Sequence, residues 1–440
     1  MKHLQNLDLM SAVVARHPVI RRIGRITNLS SNTILVSGLC DIACIGDRVS
    51  VGCDGTKVEG EVVGITRDET QILMDGASSG LRIGLAVRLE KSNGICPDDS
   101  WLGRVVNGNG IPLDGRPIVE GERMMPLHSN PPPATSRRAL GPRLHTGFSL
   151  FNTILPIVRG QRLGVFSGSG VGKSSLMAAF AREMEADVIV IALIGERGRE
   201  VNQFVDRVLG KKGLARSVVV ASTSDESAIA RRRAAFAAMA IAEFFRDKGL
   251  HVLLMLDSIT RLAEAHREIA SAAGESLSMR GFPPSMVNLL AGFAERAGPG
   301  TDGQSDISAI FTVLVSGSDM DEPVADTLRG LLDGHVVLSR TIAERGRFPA
   351  VDILQSVSRS LPEAANSKEN ALILQARKTL GVFEESEVMV RSGLYQPGTN
   401  LELDQAIRHQ PKLDDFAAQT TDSIELSFKA LEDCFDSDSE

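Results

Sequence analysis

A glycine-rich stretch, FSGSGVGKSS at residues 166–175, constrains the fold more than any other part of the sequence. It follows an apolar run, QRLGVF, that is typical of a buried strand, and it precedes KSSLMAAFAREME, whose apolar residues recur at helical spacing. Gly168, Gly170 and Gly172 allow backbone conformations that other residues rarely adopt. The stretch therefore predicts a strand, a glycine loop and a helix in immediate succession.

The predicted loop is suited to binding phosphate. Its backbone N–H groups can turn inward to form an anion nest, and the N-terminus of the next helix adds positive potential. We expect the Lys173 ammonium between the terminal phosphates and the Ser174 hydroxyl on Mg²⁺. The loop matches the pattern G-x-x-x-x-G-K-[ST] except at the first position, where Ser167 stands instead of glycine. The predicted nucleoside triphosphate site consists of Ser167, Gly168, Ser169, Gly170, Val171, Gly172, Lys173, Ser174 and Ser175.

The chain has three regions of different pattern. Residues 20–89 contain six short β-rich runs at roughly ten-residue spacing, which favours a small barrel. After a proline-rich linker, apolar strands alternate with helical patterns, which indicates a parallel sheet covered on both faces. Beyond about Leu361 only helical patterns remain. We predict an α/β protein with a β-barrel domain and short N-terminal extension at 1–90, a nucleotide-binding domain at 91–365 and a helical domain at 366–440.

Composition limits the classes of partner. The chain has 440 residues, of which 43% are hydrophobic and 23% charged, as in soluble globular proteins. A net charge of -7 disfavours nucleic acid or an anionic membrane as the main partner. No apolar run reaches the roughly 18 residues that a membrane-spanning helix needs. Five cysteines form no recognisable disulfide framework, which suits a reducing cytoplasm.

Two acidic residues follow predicted strands and are candidates for catalysis. Glu196 follows DVIVIALIG and Asp257 follows HVLLML, so both are expected at the sheet edge where ligands bind. Asp257 could reach the Mg²⁺ ligand shell, and Glu196 could orient the attacking water. From the residues alone, Asp257 could also cap the next helix, and Glu196 could be a solvated acid at a strand end.

Phosphoryl transfer also needs positive charge on the developing phosphoryl oxygens, and an arginine of a neighbouring subunit often supplies it. Sequence spacing does not choose among the candidates. These are Arg197, Arg199, Arg329, Arg340, Arg345 and Arg359.

A second motif narrows the family. PAVDILQSVS at residues 349–358 fits the signature of the rotary ATP synthase alpha/beta superfamily. GERGREV, DSITR, RGFPPS, DEPVADTLRGLLDGHVVLSR and GLYQPG extend the match from about Ile20 to the end of the chain. With these segments the chain resembles the ATPases of type III protein export, in particular those of flagella, and injectisome ATPases look almost the same. The resemblance implies a β-barrel, a RecA-like P-loop core and a short helical C-terminal domain.

The resemblance also implies roles for particular residues. Glu196 matches the catalytic carboxylate, and Arg197 follows it as in the family. Asp257 matches the acid that binds Mg²⁺, and Arg359 matches the finger that reaches a neighbour's nucleotide. Tyr395 is expected either near the adenine face or as an aromatic that anchors its own turn. ATP and Mg²⁺ are the implied cofactors.

The implied function is Mg²⁺-dependent ATP hydrolysis that energises flagellar protein export, through substrate release and unfolding at the export gate. The implied assembly is a homohexamer in the cytoplasm, peripheral to the membrane. Its expected partners are the export ATPase regulator, a stalk-like component, the membrane proteins of the gate and chaperone–substrate complexes. An injectisome ATPase is one alternative, and a catalytic subunit of a rotary synthase is another. A Rho-like RNA translocase would share the core, but 4% aromatic residues and the acidic balance argue against nucleic acid.

Overall fold

The chain divides into two compact units. The computed structural model describes residues 22–53, 56–76, 79–90, 94–168, 170–315 and 320–436. Of these described residues, one unit contains those up to residue 90 together with residues 268–276, and the other contains those between 94 and 267 and between 277 and 436. The predicted boundary between residues 365 and 366 falls inside the second unit and stays a prediction.

The first unit contains a closed β-barrel. Its strands are β1 Ile23–Leu29, β2 Thr33–Ser37, β3 Arg48–Cys53, β4 Thr56–Ile65, β5 Thr70–Asp75 and β6 Ala86–Glu90. These six described strands pair antiparallel in the order β1-β2-β5-β4-β3-β6, and β6 closes on β1. Alternate side chains, such as Ile26 and Ile34, point into the barrel and are buried. The predicted small barrel is confirmed.

The second unit contains a sheet of eight strands in its described residues. The strands of this unit are β7 Gly94–Ile95, β8 Arg104–Val106, β9 Met125–Pro126, β10 Arg162–Ser167, β11 Val188–Glu196, β12 Ser217–Thr223, β13 Val252–Asp257, β14 Ile307–Leu314, β15 Gly334–Leu338 and β16 Val351–Ser358. The order is β16-β15-β10-β14-β13-β11-β12-β8, and all neighbours are parallel except β15 and β16. β7 and β9 form a separate antiparallel pair. The predicted parallel sheet is confirmed for its central strands.

The sheet edges differ from the sequence prediction. β8 lies in a segment whose sequence does not indicate a strand. Only three of its residues pair with β12, and so short a strand is difficult to recognise from the sequence. β16 carries the superfamily signature and runs antiparallel to β15. Its residues alternate between buried and exposed, as expected for an edge strand rather than a central one.

Helices cover both faces of this sheet. They are α1 Ser149–Asn152, α2 Lys173–Glu183, α3 Gly198–Gln203, α4 Gly210–Ala215, α5 Ala228–Asp247, α6 Ile259–Ala272, α7 Ser285–Arg296, α8 Pro323–Leu331, α9 Arg340–Glu344, α10 Ser367–Arg391, α11 Leu401–Ala418 and α12 Ile424–Asp433. Val190 of β11 shares a buried cluster with Phe245 of α5, whereas Ile189 shares another with Phe180 of α2. A π-helical segment, Phe204–Leu209, lies between α3 and α4.

Three helices follow the sheet, as predicted from the helical patterns beyond residue 361. α10 begins with a capping box, in which the Asn366 side chain accepts from the Glu369 N–H and the Glu369 carboxylate accepts from Asn366. Phe416 and Leu431 of the later helices join the buried cluster of Phe180. Among the described residues, no helix is long and apolar enough to cross a membrane.

Candidate nucleotide site

The glycine loop connects β10 to α2, as the sequence predicts. Gly170 and Gly172 have φ angles of 79° and 88°, a left-handed backbone that favours glycine. Gly172 is the N-cap of α2, and no described side chain caps that end. The first N–H groups of α2 therefore have no acceptor within the helix, and they form the end to which an anion binds favourably.

The other loop residues differ in exposure. Ser174 and Ser175 are exposed on the first turn of α2, where a hydroxyl can reach a bound ion. Val171 is 2% exposed and belongs to the core beneath the loop. Gly168 is half-buried, and Ser169 lies outside the described residues.

Ser167 is the position at which the loop departs from its pattern. Its side chain is 2% exposed, and its Oγ has no hydrogen-bond partner among the described residues. A buried hydroxyl without a partner is destabilising, so this serine is tolerated rather than required.

Lys173 lies where two neighbouring strands end. β11 ends at Glu196 and β13 ends at Asp257, and these strands are adjacent in the sheet. The Lys173 ammonium contacts the Asp257 carboxylate and lies 3.8 Å from Glu196 Oε1. Thr312 Oγ1 donates to Asp257 Oδ1 at 2.7 Å and fixes that carboxylate from β14. Both predicted carboxylates therefore lie within ion-pair distance of the predicted lysine.

Glu196 has an unusual proton affinity. Burial and the negative charge of Asp257 raise the pKa of its carboxyl to about 7, although the Lys173 ammonium works in the opposite direction. The Glu196 side chain is 22% exposed, so water can still reach it. A carboxyl that titrates near neutral pH suits proton transfer to or from water.

Two arginines flank the carboxylates. Arg197 is 68% exposed and lies 3.6 Å from a carboxylate oxygen of Glu200. Arg261 of α6 passes over Gly195, where a Cβ would lie 3.3 Å from its side chain. Glycine at 195 therefore leaves room for the aliphatic part of the Arg261 side chain, while the Arg261 guanidinium donates to Glu264 at 2.8 Å.

Arg359 lies at the end of the sheet opposite to the glycine loop, beyond the other ends of the strands. β15 runs parallel to β10 and β16 runs antiparallel, so the end of β16 lies beside the start of β10. Its guanidinium donates to the Arg329 carbonyl at 3.0 Å. The length of β10, about 17 Å at ~3.3 Å per residue, separates Arg359 from the glycine loop of its own subunit.

Two aromatic residues bear on base recognition. Phe348 is 52% exposed, and a Cβ at Gly172 would lie 3.2 Å from its ring, so the ring lies against the glycine loop. The Tyr395 hydroxyl lies 2.9 Å from Asp404 Oδ1 and 3.0 Å from the Asn400 carbonyl oxygen. In the described part of the chain, Tyr395 thus anchors its own turn, and its role at the adenine stays a prediction.

Comparison with known proteins identifies the family of this chain. The model of the ATP synthase alpha/beta family, nucleotide-binding domain, matches residues 147–358, and that of the T3SS EscN ATPase C-terminal domain matches residues 365–432. The flagellum-specific ATP synthase of Caulobacter vibrioides is 42% identical over 96% of this chain and 97% of that protein. This chain belongs to the type III export ATPase family.

Both branches of the family are similar to this export ATPase. The flagellum-specific ATP synthase of Salmonella typhimurium and the type 3 secretion system ATPase of Xanthomonas euvesicatoria are each 40% identical over 94% of this chain and 93% of their own length. The assembled ATPase EscN of the enteropathogenic E. coli type III secretion system matches with a TM-score of 0.88 and 35% identity, over 94% of this chain and 100% of that chain. The predicted fold class and ATP hydrolase activity are confirmed.

Sequence reasoning assigns no role to three residues near the export ATPase site. Thr312 lies within an apolar strand, and Arg261 ends the DSITR segment, from which no role for the arginine follows. Phe348 directly precedes the signature segment, and an aromatic residue there gives no indication of its exposure. Only the folded chain places them against Asp257, Gly195 and the glycine loop respectively.

Proposed function

We propose that this export ATPase hydrolyses Mg²⁺-ATP at the glycine loop and thereby energises flagellar protein export. The observation that carries the proposal is the convergence of Lys173, Glu196 and Asp257 at the ends of adjacent strands, beside the uncapped start of α2. Loop N–H groups and the lysine would bind the phosphates, because both present positive charge to them.

The side chains present also fit Mg²⁺. The ion prefers oxygen ligands, and the exposed Ser174 hydroxyl and the Asp257 carboxylate are of that kind. Bound Mg²⁺ would neutralise charge on the phosphate oxygens. Thr312 would keep the Asp257 carboxylate oriented, since its hydrogen bond leaves the second carboxylate oxygen available.

Glu196 would orient the attacking water and accept its proton. Its raised pKa brings the carboxylate closer to the operating pH, which favours general-base catalysis. Phe348 would stack on the purine, because its exposed ring adjoins the loop that holds the phosphates. Arg359 would act on a neighbouring subunit's ATP, because the length of β10 separates it from the glycine loop of its own subunit.

Site sharing between subunits supports a homohexameric ring as the active form. EscN has been solved as an assembled ATPase and in complex with its central stalk EscO. By similarity, the other proposed partners of this chain are a stalk-like component, the regulator, gate proteins and chaperone–substrate complexes at the cytoplasmic membrane face. Specific activity should then rise with protein concentration, and constant activity on dilution to monomers would contradict the shared site.

Glu196→Gln tests the catalytic assignment. ATP affinity should stay nearly unchanged while turnover falls by on the order of 10² or more, because the variant keeps the shape of the side chain but loses the base. Glu185→Gln, at an exposed carboxylate after α2, is the matched control and should keep wild-type turnover. Turnover by Glu196→Gln at the wild-type rate would remove Glu196 from this role.

Deletion of the gene in its source cell tests the flagellar assignment. Loss of filaments and motility is expected, because export of filament subunits would lack its ATPase. Normal filaments together with loss of effector secretion would instead assign the protein to an injectisome.

A further inference from the structure

Gln161 lies directly before β10, at the sheet edge opposite the glycine loop, and is fully buried. Its Nε2 donates to the Asp333 carbonyl at 3.1 Å and to Ser358 Oγ at 3.2 Å. Its Oε1 accepts from the Val158 N–H at 2.9 Å. These three contacts fix the orientation of the amide, and two of them go to residues adjoining the end of β16.

The partners of Gln161 hold the backbone on the N-terminal side of Arg359. The Asp333 carbonyl that accepts from Gln161 also accepts from the Arg359 N–H at 3.0 Å. Ser358, the residue before Arg359, donates its hydroxyl to the Pro156 carbonyl at 2.6 Å. One buried amide is therefore hydrogen-bonded to the hydroxyl before Arg359 and to the carbonyl that holds Arg359 itself.

Asp333 is itself held rigidly. Its carboxylate accepts from the N–H, Nε and Nη2 of Arg162, each at 2.9 Å. Gly334 is required beside it, since a Cβ there would lie 2.8 Å from the Val357 carbonyl and 3.2 Å from Gln161 Nε2. The Asp333 carbonyl, which accepts from the Arg359 N–H, is thus held beside β10 in two ways. These are the ion pair between Asp333 and Arg162 and the hydrogen bond from the Gln161 amide.

We propose that Gln161 is a positioning residue for Arg359 and so acts on the ATP held by the neighbouring subunit. The inference rests on the proposed role of Arg359 between subunits. An exposed arginine has a long flexible side chain, so a fixed backbone is what limits where its guanidinium can reach. A displacement of about 1 Å at a catalytic group can lower the rate on the order of 10²-fold.

Two variants remove the contacts. Gln161→Met keeps the volume but loses the amide, and Ser358→Ala loses only the hydroxyl. Each should lower kcat by on the order of 10-fold to 10²-fold and leave the KM for ATP within about twofold, because the variant's own loop is intact. Ser217→Ala is the matched control: its buried hydroxyl, at the start of β12 and far from β10 in the sheet, donates to the Gly213 carbonyl at 2.6 Å, and its loss should leave kcat unchanged.

Mixed assemblies separate positioning from mere stability. Glu196→Gln subunits lack the base but keep Gln161 and Arg359, whereas Gln161→Met subunits keep the base. Co-expressed with two different affinity tags and purified through both, the pair should recover about a quarter of wild-type turnover with random assortment. The recovered activity comes from sites between two different subunits. In these sites a Gln161→Met subunit supplies the Glu196 base, and the adjacent Glu196→Gln subunit supplies an Arg359 that Gln161 still positions.

The same design tests the assumption beneath the proposal. Arg359→Ala should also complement Glu196→Gln, whereas Arg359→Ala with Gln161→Met should not exceed the residual turnover of Gln161→Met alone, since neither supplies a well-positioned arginine. If Arg359→Ala complements but neither Gln161→Met nor Ser358→Ala does, the positioning role is overturned and the shared site stands. If Arg359→Ala fails to complement, the arginine assignment and the Gln161 inference both fall.

Discussion

Substitution of Glu196 by glutamine should stabilise the folded protein, by an amount that depends on pH. The pKa of Glu196 is raised from its ordinary value of 4.5 to about 7, so the folded chain binds this proton more tightly than the unfolded chain does. Between those values the folded state therefore loses stability as pH rises, and the loss is complete above about pH 7. Glutamine, which carries no charge, avoids the loss.

The size of the effect follows from the two pKa values. Each pKa unit corresponds to about 1.4 kcal/mol, so a rise from 4.5 to about 7 corresponds to about 3 kcal/mol. The variant should exceed the wild type in free energy of unfolding by about 1 kcal/mol at pH 5 and by about 3 kcal/mol at pH 8. The Glu196 carboxylate is thus expected to reduce stability in the absence of nucleotide.

Urea unfolding without nucleotide or Mg²⁺ would measure this. Trp101 is the single tryptophan of the chain and is buried in the same unit as Glu196, so its fluorescence reports the relevant transition. Glu185→Gln should show a difference from the wild type that does not change between the two pH values. A Glu196→Gln advantage that is the same at pH 5 and pH 8, or reversed at pH 8, would refute the electrostatic reasoning.

Further predictions concern residues around the loop. Phe348→Leu should raise the KM for ATP several-fold with little change in kcat, because a base-stacking ring is lost; an unchanged KM would contradict the stacking role. Thr312→Val should raise the Mg²⁺ concentration needed for half-maximal turnover, since the Asp257 carboxylate loses its 2.7 Å hydrogen bond; a Mg²⁺ titration of ATPase activity would test it. Ser167→Ala should raise the free energy of unfolding by about 1 kcal/mol, because an unpartnered hydroxyl is removed; urea unfolding would test it.

The sequence predicts the parts of the site that depend on local pattern. The glycine loop is encoded by ten consecutive residues, and Glu196 and Asp257 each follow an uninterrupted apolar run. Parallel strands place such residues at one edge, so their convergence could be anticipated. The flagellar relative of Salmonella typhimurium and the type 3 secretion relative of Xanthomonas euvesicatoria are each 40% identical to the chain, which is why the motifs alone do not separate the two systems.

Other parts depend on contacts between distant residues. Thr312 and Asp257 are 55 residues apart, and Gln161 and Ser358 are 197 residues apart. No local pattern marks either pair, because the sheet order alone brings their strands together. The edge strand β8 has the same difficulty, since three paired residues give too short a run to distinguish it from a turn.

The distance between Arg359 and the glycine loop of the same subunit has a consequence for the living cell. A solitary subunit would hold one half of each of two reaction centres and a whole one of neither. ATP hydrolysis would then begin only where subunits assemble into rings, so the location of assembly would decide where ATP is consumed.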